Sequence, residues 1–179
     1  MRALPERKRA GAPVQGGFFL IEAMVAILIF ALGILGLVAM GGTAVSAQAD
    51  AQYRTEASSL ADAIAAQIAL GVDRTDEGTK ATTLGGFMHQ PTPPPTDVPA
   101  PCSFGGGTPL TAATAPGVFP LLQRAANLGT APGLPGATAA NQQIFIDGAG
   151  TFNRVVITLC WKTASDSAWR RHTLVTYVN

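Results

Sequence analysis

A lone carboxylate has the most chemical consequence in this chain. Glu22 is the only charge in an otherwise apolar run over residues 18–40. A carboxylate held in such a run is costly to bury, so it marks either a task or an escape to the nearby edge of the apolar phase. The next chemistry belongs to Cys102 and Cys160. In an oxidising compartment they can pair and close a loop of nearly sixty residues. Such a bridge stabilises by about 3 to 4 kcal/mol in the chain-entropy picture. The alternative is two unrelated buried thiols. Neither cysteine belongs to a CxxC or a metal-ligand spacing.

The remaining reactive inventory is thin. His89 lies beside a proline-rich stretch, and His172 follows two arginines. Neither belongs to an HExxH pattern, and no Gly-x-Ser-x-Gly occurs. Asp73, Asp76 and Glu77 form an acidic group that reads either as a cation site or as a solvated loop. Trp169, Arg170 and Arg171 have the chemistry to touch a phosphate, but three residues do not make a basic patch. Residues 105–107 are three glycines with no Lys-Ser/Thr after them, so they make a flexible turn and not a phosphate loop. The expectation is a protein that is not an enzyme, holds no metal and carries no cofactor.

These residues need elements to position them. The apolar run of 23 residues makes a helix of about 34 Å, enough to cross a hydrocarbon core of about 30 Å. Arg2, Arg7, Lys8 and Arg9 precede it, opposed only by Glu6, whereas residues 41–179 hold eight Lys/Arg and nine Asp/Glu. By the positive-inside rule the N-terminus stays cytoplasmic and the body crosses. The run is longer than the core of a cleaved secretory signal, although Ala44, Val45, Ser46 and Ala47 would suit a signal peptidase. The net charge of +1 argues against a general nucleic-acid surface.

Apolar positions then recur at Tyr53, Ala57, Leu60, Ile64 and Ile68, on one helical face. An amphipathic helix over residues 43–70 follows the membrane run, with Gly71 as its stop. Gly33, Gly36, Gly41 and Gly42 either soften the helix there or allow close packing in a membrane. With 20 glycines and 13 prolines the body reads as loop-rich, mostly loop over 71–140, with a stiff proline stretch at 91–96 and a short helix over 120–128. Strands are predicted over 143–147, 154–162 and 172–178. Val155, Ile157, Leu159 and Trp161 share one face of the middle strand. The fold expected is α+β: a long N-terminal helix packed on a C-terminal antiparallel sheet.

The segment Gly17-Phe18-Phe19-Leu20-Ile21-Glu22, after a short basic leader and opening an apolar helix, resembles the class III signal of type IV prepilins and type II secretion pseudopilins. It departs from the usual pattern only at Phe19, where threonine is common. The resemblance implies cleavage after Gly17 by a prepilin peptidase and N-methylation of the new N-terminal Phe18. It also implies that the Glu22 carboxylate sets axial register by seeking the Phe18 amine of a neighbouring subunit. The physics agrees. A glycine lets the peptidase approach the backbone closely. An amine and a carboxylate, each costly alone in an apolar phase, offset one another's desolvation.

More weakly, Leu134-Pro135-Gly136-Ala137, Cys160-Trp161 and the short terminal strand make the chain similar to the PilV group of minor pilins. The layout implied is a cytoplasmic leader (1–17), a transmembrane helix (18–40), an amphipathic helix (41–70) and a periplasmic head (71–179). The implied partners are the inner membrane, the prepilin peptidase, other major and minor pilins and the pilus assembly machinery, in a fibre serving adhesion, motility or DNA uptake; no nucleic acid is expected as a direct partner. A pseudopilin shares the N-terminal motif. A membrane-anchored periplasmic enzyme or binding protein is the alternative from another class, and it would keep an uncut N-terminus.

Overall fold

The computed structural model describes residues 18–92, 102–107, 109–130, 132–148 and 152–179. The leader, Gly17 and most of the proline stretch lie outside them. Helix α1 (Phe18–Gly71) is continuous over 54 residues. It passes unbroken through Gly33, Gly36, Gly41 and Gly42, where an added Cβ would meet no atom within 4 Å. Any softening there is therefore not a break in this structure. The apolar half of α1 makes this the one described helix long and apolar enough to cross a membrane.

The chain divides into two compact units, residues 1–48 and 49–179. In the first, every described side chain from Phe19 to Gln48 is exposed. In the second, the helix turns one-sided. Ala57, Leu60, Ala61, Ile64 and Ile68 are at most 3% exposed and join the core with Ile144, Val155, Ile157, Leu159 and Trp161. Their steps of three and four keep them on one stripe, which is why this half needs a sheet beneath it.

That sheet has three antiparallel strands in the order β1 (Gln142–Ile146), β2 (Arg154–Trp161), β3 (Arg170–Tyr177). The register runs Ile144↔Ile157 between the first pair and Ile157↔Leu174 between the second. The predicted strands are matched within one or two residues. β3 starts earlier than expected because Arg170 and Arg171 join the ladder opposite Trp161 and Cys160.

Two short helices stand between α1 and the sheet. α3 (Phe119–Ala125) carries its proline in the first turn, where a missing N–H costs nothing. It is shorter than the predicted 120–128 because Asn127 takes the left-handed conformation at φ 55°. α2 (Glu77–Gly85) falls in the region expected to be mostly loop. Its composition, rich in threonine and glycine, is a poor helix former. Asp76 caps it, and Leu84 and the Lys80 stem are buried beneath it.

Candidate functional site

Glu22 lies one turn into α1, about 6 Å along the axis from Phe18. Its helical neighbours are Ile21, Val25, Ala26 and Ile29, all apolar. It is exposed, and among the described residues no side chain or backbone group bonds it. Phe18 is the first described residue of the helix, and Gly17 lies outside the described residues.

In the head the cysteines are bonded: Cys102–Cys160, with a Cα–Cα distance of 5.9 Å and a sequence separation of 58. A brace of buried carboxamides surrounds this bridge. Asn141 donates through Nδ2 to the Cys102 carbonyl. The Gln142 side chain grips the Cys160 backbone from both sides, donating to its carbonyl at 3.1 Å and accepting from its N–H at 3.2 Å. Gln143 donates to the carbonyls of Gln90 (2.9 Å) and Thr92 (2.6 Å). These three residues are buried, and buried amides must find partners. The only signal of this brace in the sequence is three consecutive carboxamides, Asn141 to Gln143, at the entry to a strand.

The histidines do not meet. His89 is 3% exposed at the β1 edge, whereas His172 lies on β3 at the opposite edge. Nε2 of His89 is 3.1 Å from the Ala139 carbonyl and Nδ1 accepts the Leu110 N–H at 3.2 Å, which fixes a neutral ring protonated at Nε2. Burial pushes its pKa below the ordinary value. With Leu110, Phe119, Leu122 and Leu128 it lines a small apolar cavity of about 110 Å³. Both ring nitrogens are engaged by backbone, so this histidine ties segments together.

The acidic group is likewise occupied. Asp76 accepts the Thr79 N–H (2.9 Å) and hydroxyl (2.7 Å) as a helix cap, Asp73 accepts the Thr75 N–H (2.9 Å), and Glu77 pairs with Lys80 (2.6 Å). The threonine hydrogen bonds hold both aspartates below the usual carboxylate range. Among the described residues no three His, Cys, Asp or Glu side chains are placed to hold a metal. Arg170 bridges Asp50 and Asp166, and its guanidinium keeps the Asp166 carboxyl well below its ordinary range. Of the arginine pair only Arg171 points to solvent without a charged partner among the described residues.

A long helix, apolar all round and then one-sided, followed by a three-stranded antiparallel sheet, is a pilin-like α+β architecture. No family model, curated protein or solved structure matches this chain.

Proposed function

We infer that the chain is a minor type IV pilin of the PilV kind. It is made as a prepilin, cut after Gly17, methylated at Phe18 and taken into a fibre from the inner membrane. The observation that carries this is the coincidence of motif and element. Residues Phe18 to Glu22 of the motif lie in a helix whose apolar half is exposed, and the same helix later buries a single stripe in the head. A plain membrane anchor needs neither the unpaired acid one turn in nor the glycine before it. In this reading the leader faces the cytoplasm, the head faces the periplasm, and Glu22 meets the Phe18 amine of a neighbouring subunit. The partners are the prepilin peptidase, other pilins and the assembly machinery.

The test is N-terminal mass analysis of the protein from cells with and without prepilin peptidase. A peptidase-dependent, methylated Phe18 is expected. A chain that still begins at Met1, or that begins after Ala47, refutes the reading. Glu22→Ala should leave cleavage intact and abolish incorporation into fibres; normal incorporation would refute the register role.

A further inference from the structure

The two edges of the sheet are treated differently. β1 is closed by a bridge to His89, whose N–H donates to the Ile144 carbonyl at 3.0 Å and whose carbonyl accepts the Ile144 N–H at 2.9 Å. β3 pairs with β2 over eight residues, and no other strand among the described residues lies on its far side. An edge of that kind leaves a row of backbone donors and acceptors without ladder partners. Natural sheets blunt such an edge with charged side chains, a proline, a bulge or a very short strand. β3 reads Arg-Arg-His-Thr-Leu-Val-Thr-Tyr in unbroken register; its two arginines stand at one end, and residues 172–177 carry no lysine, arginine, acid, proline or bulge.

Its side chains are under-covered too. Val175 is 48% exposed and Tyr177 55%, and Leu174, which faces the core, is only half-buried. A further strand would cover the backbone row and these side chains together.

We propose that β3 is a docking edge that takes up an extended segment of a different polypeptide as a fourth strand, with an acidic residue opposite Arg171. The charge pattern selects the partner. Arg170 is committed to Asp50 and Asp166, which leaves Arg171 as the one unanswered cation on the strand. Beyond it the outward row is Thr173, Val175 and Tyr177, residues that pair best with β-branched or aromatic side chains across a ladder. The chain's own strands fit poorly. The β1 edge is closed by His89, and β3 carries no acid to meet Arg171. Main-chain bonds would supply the affinity and the alternating side chains the selectivity. The inference stands on the sheet alone and does not depend on cleavage after Gly17.

The test uses the full chain in detergent micelles with two synthetic peptides of alternating threonine and valine, one carrying a single glutamate and the other a lysine in its place. Amide hydrogen exchange should show new protection along β3 with the glutamate peptide. The lysine peptide should bind about three- to tenfold more weakly. Arg171→Ala should erase that preference, and Val175→Lys, at an exposed position, should abolish binding without unfolding the head. Absence of protection along β3, or equal binding of both peptides, overturns the proposal. Protection that rises with protein concentration alone also overturns it, because the occupant would then be a second copy.

Discussion

Removing the Cys102–Cys160 bridge by the double substitution Cys102→Ala/Cys160→Ala should destabilise the head by about 4 kcal/mol. The figure follows from loop length. With the cysteines 58 positions apart, the lost loop-closure entropy is about 14 cal/mol/K, or about 4 kcal/mol near room temperature. Alanine is the right replacement because Cys160 is fully buried and Cys102 nearly so, and a serine hydroxyl there would add its own desolvation cost. The backbone carbonyls of both cysteines are already bonded by Asn141 and Gln142, so the folded state keeps those contacts in the variant. For a cooperative unit of residues 49–179 this corresponds to a fall in Tm of roughly 10 to 15 °C. The assay is thermal unfolding of the full chain in detergent, followed by near-ultraviolet circular dichroism on Trp161. Wild type in a strong reductant should unfold with the double variant. A shift under about 3 °C would refute the reasoning, since the carboxamide brace and not the covalent link would then be holding segment 102–107 to β2.

Two further outcomes can be read with the same assay. The unfolded chain takes up a proton at His89 near pH 6.5, while burial keeps the folded ring neutral at lower pH, so stability is full above pH 6.5 and falls as the pH drops through the folded value. Denaturant midpoints at pH 7.5 and 5.5 should therefore differ more for wild type than for His89→Leu, and equal differences would refute the assignment. Ile64→Ala, at a fully buried position of α1, should cost about 2 to 4 kcal/mol, whereas Leu32→Ala, at a 61% exposed position, should leave head unfolding within about 0.5 kcal/mol.

The sequence made legible what depends on local periodicity. The stripe Ala57, Leu60, Ile64, Ile68 and the alternation Val155, Ile157, Leu159, Trp161 both name their buried faces, because each repeats with the period of its element. Helix α2 was illegible because its residues do not favour a helix. It exists through the Asp76 cap and the burial of Leu84, which only the rest of the head provides. The role of His89 was hidden for a similar reason. Its neighbours in sequence suggest a loop, but its partners Leu110, Ala139 and Ile144 lie 21 to 55 residues away. Asn141, Gln142 and Gln143 look like surface polar residues until Cys102, Gln90 and Thr92 arrive to bond them. The Gly17–Glu22 motif stands apart from these. In the proposed reading its chemistry is addressed to an outside enzyme and an outside subunit, so no contact within the chain bears on it.

That outward address bears on the apolar half of α1 as well. Phe19, Ile27, Leu28 and Ile29 are between 60% and 75% exposed and lie on all sides of the helix. One partner helix covers one stripe, so a single docked neighbour would leave most of this surface in water. Two surroundings cover a helix on every side: hydrocarbon, and a ring of similar helices. In hydrocarbon the Glu22 carboxylate has only the nearby membrane edge to reach for. In the proposed reading, among similar helices it would have the α-amine that cleavage before Phe18 would create on a neighbour. The acid that penalises the first surrounding would then reward the second, and that difference in free energy would favour passage from one to the other.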